Sequence, residues 1–101
     1  MDSDLTKRVT ETLNELVDEE TSRRFGELNI VTDVSEMASG SVRIKFQPLS
    51  AYSPTAVDIG RSLREKTLTV EGVKAVRVEC NGHMMDDLVN RLVNKEDSSQ
   101  K

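Results

Sequence analysis

The most constraining feature of the chain is the alternation from Ser41 to Gln47, in which Val42, Ile44 and Phe46 fall on one parity and Arg43, Lys45 and Gln47 on the other. Successive side chains of a strand point to opposite faces, so this pattern demands a strand with one face buried and one face wet. Ala38-Ser39-Gly40 before it reads as a turn, and Pro48 after it ends the strand because proline has no N–H for a ladder. Upstream, Leu28 to Met37 is rich in β-branched residues, but Ile30, Val31, Val34 and Met37 do not keep one parity. That irregularity predicts a strand with a bulge or a twist, joined to the next as an antiparallel hairpin.

A hairpin with one apolar face needs a second layer, and three helical patterns supply it. Leu5, Val9, Leu13, Leu16 and Val17 recur at helical spacing, with Ser3 or Asp4 placed to cap, which predicts a helix from about Leu5 to Val17. Asp18-Glu19-Glu20 reads as its solvated end, and the stretch through Phe25-Gly26 as an ordered loop with room for one helical turn. Ser53-Pro54 is a helix start, the serine capping and the proline in the first turn, ahead of the stripe Ala56, Ile59, Gly60 and Leu63 that carries the helix to about Lys66. Lys74 to Cys80 alternates again, with Val76, Val78 and Cys80 on one side, and predicts a third strand. After Asn81-Gly82, Met84, Leu88 and Leu92 with Met85 and Val89 outline a closing helix, in which Met84-Met85 reads as core packing.

The order is thus α-β-β-α-β-α, and a strand reached through a helical crossover usually runs parallel to its neighbour. The expected fold is α/β in the α+β sense, a two-layer sandwich with a three-stranded mixed sheet. Its 101 residues give one compact domain, residues 1–94, with 95–101 expected to be a disordered polar tail.

Charge narrows the partners. With 14 basic and 18 acidic residues the net charge is −4, so phosphate backbones and anionic membranes are repelled, and neither nucleic acid nor membrane is an expected partner. No stretch approaches the length of an apolar membrane span, Met1-Asp2-Ser3-Asp4 does not resemble a leader, and the single thiol suits a reducing compartment, so a cytoplasmic location is expected.

The reactive inventory is short: one cysteine, Cys80, one histidine, His83, and one tyrosine, Tyr52. This excludes an intramolecular disulfide, a Cys₄ or Cys₂His₂ zinc site and a self-contained four-cysteine cluster. The glycines at 26, 40, 60, 72 and 82 lack the short offsets of phosphate loops, dinucleotide turns and nucleophile elbows, and so no enzyme class is indicated. A Ser53 hydrolase would need His83 within hydrogen-bond reach. Cys80-Asn81-Gly82-His83 has the spacing of half a metal site, though a free cysteine closing the Val76/Val78 face is more often a core residue. Arg43, Lys45 and Arg77 fall off the buried parity, so the open face of the sheet presents either ordinary solvated charge or a basic binding surface.

Taken in order, these landmarks resemble the PaaD-like domain family of iron–sulfur cluster assembly proteins, which includes SufT and the eukaryotic cytosolic iron–sulfur targeting factor. Asp18-Glu19-Glu20 keeps the acids of the family's Asp-Pro-Glu, and Glu27-Leu28-Asn29-Ile30-Val31 is similar to its first-strand opening. Pro48-Leu49-Ser50-Ala51-Tyr52-Ser53-Pro54 stands at the family's Pro-Thr-Ser-Pro-x-Cys-Pro loop. Val70 to Val78 resembles its Gly-Val-x-x-Val-x-Val strand, and Asn81 to Leu92 its close. The resemblance spans Leu5 to Leu92 and implies the same α-β-β-α-β-α fold.

It implies a non-enzymatic accessory factor in iron–sulfur cluster assembly or metalloprotein maturation. Such a factor would meet assembly proteins or apo-protein clients, with transient iron or cluster as cargo. The loop surface would comprise Ser53, Tyr52, Pro54 and Asp18, with Cys80 and His83 as the fallback metal pair. The family's functional cysteine position is held by Ser53, and an alcohol is a poor iron ligand beside a thiolate. That departure points from metal chemistry toward contact. The alternative is a degenerate member serving as a homodimeric structural or regulatory interaction module.

Overall fold

A computed structural model describes residues 4–94. Its elements are α1 (Asp4–Asn14), α2 (Phe25–Leu28), β1 (Val31–Ala38), β2 (Ser41–Phe46), α3 (Ala56–Leu68), β3 (Ala75–Cys80) and α4 (Asp86–Val93). The sheet order is β1-β2-β3, with β1 antiparallel and β3 parallel to β2. The fold is the two-layer α+β sandwich with a three-stranded mixed sheet that the alternation demanded, and α2 is the single helical turn foreseen after the acidic stretch.

The buried parity of β2 is the centre of the core. Val42, Ile44 and Phe46 pack with Val78 and Cys80 of β3 beneath Val9 and Leu13 of α1, Ile59 and Leu63 of α3, and Val89 and Val93 of α4. Removing these side chains from water is the main stabilising term, about 1.5–3 kcal/mol for each large one. The mixed parity of β1 has the expected cause, since its pairing with β2 shifts register between Val31 and Asp33 and again between Glu36 and Ala38. On the open face, Asp33 and Glu79 flank Lys45 across the strands, and Arg77 pairs with Glu79 at 3.7 Å. That face therefore carries mixed charge rather than a basic patch.

β3 is an edge strand whose outer N–H and C=O groups need partners, and α4 supplies them from its side chains. Asn94 accepts from the Val78 N–H (2.9 Å) and donates to the Val78 carbonyl (2.7 Å), while Asn90 accepts from the Cys80 N–H. Four residues of helix advance about 6 Å and two residues of strand about 6.6 Å, so an i, i+4 pair of amides matches alternate strand residues. The two asparagines stand in for a fourth strand and blunt the edge.

Several boundaries differ from the sequence expectations. α1 stops at Asn14 rather than Val17, because Val17 leaves to bridge Arg24 and the Leu16 carbonyl accepts from the Phe25 N–H at 2.7 Å. Ser53-Pro54 does not start α3: the first helical bond runs from the Ile59 N–H to the Thr55 carbonyl, and Thr55 is the cap position. Met84 and Met85 are exposed, not core, because α4 turns Val89 and Val93 inward and leaves Leu88 outside. The Ser3 cap and the tail at 95–101 lie outside the described residues. Among the described residues no helix is long and apolar enough to cross a membrane.

Candidate functional site

Parallel pairing of β2 and β3 brings their C-terminal ends together, and in mixed sheets the loops leaving such ends gather functional side chains. Phe46 is opposite Cys80, and the Asn81 N–H donates to the Phe46 carbonyl at 2.9 Å, carrying the pairing one residue further. The 47–55 and 81–85 loops then run side by side. Gly82 has φ +97°, and a Cβ there would come within 3.2 Å of Gln47, so the close approach favours glycine.

Two bonds lock the loops together, and a third within the 81–85 loop sets the His83 ring. The Met84 N–H donates to the Ala51 carbonyl at 2.8 Å, and His83 Nε2 lies 3.0 Å from the Ser53 carbonyl. The Met85 N–H donates to His83 Nδ1 at 3.0 Å, which leaves the ring proton on Nε2, where it is given to Ser53. Asp86, at the start of α4, organises the turn from below: its carboxylate accepts from the His83 N–H (2.7 Å) and the Gly82 N–H (3.2 Å). It also accepts from the Cys80 thiol, whose pKa is pushed up to about 12 by burial first, and then by that hydrogen bond and the carboxylate's charge.

The structure thus unites Ser53, Tyr52, Cys80 and His83 but gives them roles unlike metal or acyl chemistry. Both His83 nitrogens are engaged with backbone groups, and Cys80 is a buried thiol far from its thiolate form. Ser53 is buried with its hydroxyl 3.3 Å from that of Thr55, and His83 faces its carbonyl rather than its hydroxyl. Iron or a cluster does not fit this donor set as a ligated group, and among the described residues no three His, Cys, Asp or Glu side chains converge on one point.

Asp18 belongs to a neighbouring cleft of about 380 Å³, floored by Phe25 and Ile59 and flanked by Thr55, Asp58 and Arg61. Asp18 is buried rather than solvated. Its carboxylate accepts from the Thr21 N–H and hydroxyl, both at 2.9 Å, while its backbone closes a turn with Ser22 and Arg23. It shapes the loop. Asp86 escaped the sequence reading, although an acid three residues after His83 at a helix start is the spacing by which such side chains reach back to free N–H groups.

What the two loops present outward is apolar. Of the eight large apolar residues exposed among the described residues, Leu49, Tyr52, Met84, Met85 and Leu88 belong to these loops and the first turn of α4. Tyr52 is 71% and Met84 67% exposed, and Tyr52 sits between the two residues that the 83–84 segment holds.

No family model matches the chain. An uncharacterized protein of Methanocaldococcus jannaschii is 25% identical over 71 residues, 70% of this chain and 75% of that protein. A crystal structure of a domain of unknown function, DUF59, from Bacillus anthracis superimposes with a TM-score of 0.70 at 19% identity, covering 76% of this chain and 74% of that one. At that identity the likeness is one of fold.

Proposed function

We propose that the chain is a non-enzymatic accessory protein of iron–sulfur cluster assembly or metalloprotein maturation, acting through protein–protein contact, with iron or cluster as cargo carried by its partners. The observation that carries this reading is the apolar surface of Tyr52, Met84 and Met85, displayed on loops whose backbones are locked together while the potential donors beneath are all occupied. Monomeric proteins seldom hold several large apolar side chains out into water on a locked frame without a partner to cover them. The ordered motifs from Leu5 to Leu92 lend support, and so does the DUF59 fold, since PaaD-like and SufT-like domains are DUF59 members.

Deletion of the gene in the native cell is expected to lower the specific activity of cluster-dependent enzymes while their polypeptide levels hold. Re-expression of the wild-type chain restores them. Unchanged specific activity across several such enzymes would contradict the assignment.

A further inference from the structure

The cleft of about 380 Å³ between the 17–25 segment and α3 contains a buried carboxylate that is only half-satisfied. Asp18 is 3% exposed, and its Oδ2 accepts both of its hydrogen bonds, from the Thr21 N–H and the Thr21 hydroxyl. Oδ1 accepts from no donor among the described residues, and no described lysine, arginine or histidine forms an ion pair with it. Nor is Oδ1 sealed from solvent, so it opens into the cleft that Asp18 lines. A carboxylate withdrawn this far from water ordinarily has a cation or a full set of donors.

The rim leaves the same charge uncompensated. Glu19, Glu20, Asp58 and Glu65 line the cleft with Asp18, against a single described cation, Arg61. Arg61 stands about one helical turn from both Asp58 and Glu65, yet it forms an ion pair with neither. Arg23, in the neighbouring loop, is tied to Glu27 at 3.3 Å. The described carboxylates do not converge as a metal ion would require, and Val17, 56% exposed, adds an apolar wall.

We infer that this cleft seats an arginine or lysine side chain of a partner protein, its aliphatic stem along Val17 and its charged head at Asp18 Oδ1 and the rim. The inference rests on the contact role proposed above and adds a second anchor point and the partner's chemistry. Arginine and lysine join an apolar stem to a cationic head, which matches the wall and the rim. The head completes the hydrogen bonding of Asp18 with a charge-assisted bond, the strong kind. Continuity with the apolar surface favours a protein over a free cation. Thr55 lines the cleft, its hydroxyl is 3.3 Å from that of Ser53, and no more than about 11 Å of chain separates it from Tyr52. A partner that covers Tyr52 therefore reaches the cleft within the same contact.

The test is a titration of the ¹⁵N-labelled full chain with acetyl-Leu-Arg-Leu-amide and with the same peptide carrying citrulline, which keeps the shape of arginine without its charge, followed by amide chemical shifts. The expected result has shifts concentrated in residues 17–25 and 55–65, with the arginine peptide binding about tenfold tighter. Asp58→Asn/Glu65→Gln should weaken that binding severalfold while the urea unfolding midpoint holds, because both side chains are exposed. Arg61→Gln removes the opposing cation and should tighten it. Asp18→Asn keeps an acceptor for the Thr21 turn but sets an NH₂ group at the cleft, and should abolish the preference for arginine over citrulline.

Absence of saturable shifts, equal affinity for the two peptides, shifts centred on residues 49–53 and 83–88, or a preference for arginine that survives these carboxylate variants would each overturn the inference. So would ethylguanidinium alone binding as tightly as the arginine peptide, since the occupant would then be a free small cation. A wild-type dimer in sedimentation that Asp58→Asn/Glu65→Gln abolishes would overturn it too, by making the occupant a second copy. Enzyme maturation plays no part in this readout. A negative titration therefore removes the cleft contact and leaves the maturation role to stand or fall on the deletion.

Discussion

Replacing Asn94 by alanine should strike the molecule at its least conventional support. Asn94 satisfies both the N–H and the carbonyl of Val78, a fully buried residue on the outer edge of β3, and its amide also donates to the Asn90 carbonyl at 2.7 Å. The variant leaves two backbone groups without partners, each costing about 1–3 kcal/mol when shut away from water. Asn94 is itself only half-buried, so water partly replaces it, and the net loss is set at about 2–4 kcal/mol. That is a large share of the roughly 5–15 kcal/mol holding a domain of this size. With a urea m-value of about 1.5 kcal/mol per M, the midpoint should fall by about 1.5–2.5 M. Native-state hydrogen exchange gives the local readout, with the Val78 amide losing protection ahead of the β2 amides. Asn94→Asp should be no better than alanine, because it keeps the acceptor for the Val78 N–H but sets a carboxylate oxygen against the Val78 carbonyl. A midpoint shift below about 0.3 M, or unchanged exchange at Val78, would refute the view that these amides substitute for a strand.

Four further outcomes follow from the core and the loops. Cys80, with its thiol raised from 9.0 to about 12, should resist iodoacetamide at pH 8 in the folded chain and react about a thousandfold faster in urea, because the thiolate fraction changes tenfold per unit. The same shift makes stability full below about pH 9 and progressively lost between 9 and 12, as the unfolded thiol ionises first; a chemical-denaturation series should show Cys80→Ala removing that component. Gly60→Ala would bring a Cβ to 2.5 Å from the Val93 side chain and should cost about 1–3 kcal/mol, relieved by Val93→Ala in a double-mutant cycle. Asp18→Ala removes both hydrogen bonds that hold the Thr21 turn and should lower the thermal midpoint by roughly 10 °C, at about 2 kcal/mol of lost bonding.

The strands were legible because alternation is a local signal: Val42, Ile44 and Phe46 declare a buried face whatever lies above them. The bulged β1 was legible for the same reason, since a broken parity is itself a pattern. α4 was legible as a helix but not in its orientation. Met84, Leu88 and Leu92 make as good a helical stripe as Val89 and Val93, and what favours the second is the bonding of Asn90 and Asn94 to β3, a long-range fact. Asp18 was misread because a run of three acids reads as solvated, whereas this one carboxylate turns inward to hold the Thr21 turn. At the site, Ser53 and His83 stand out in the sequence by residue type alone, whereas their meeting through a backbone carbonyl rather than a hydroxyl depends on how two distant loops align. Asp86 was invisible for a related reason, since its role exists only once the 81–85 turn is formed.

The most direct test of contact rather than ligation is quantitative affinity isolation from the native cell, comparing wild type with Tyr52→Ser/Met84→Ser and measuring recovered proteins by mass spectrometry. Recovery of iron–sulfur assembly proteins or their apo-clients with the wild type, and their loss with the double variant, is the expected result. Recovery that is indifferent to the variant, or a wild-type eluate with no such protein in it, would contradict it.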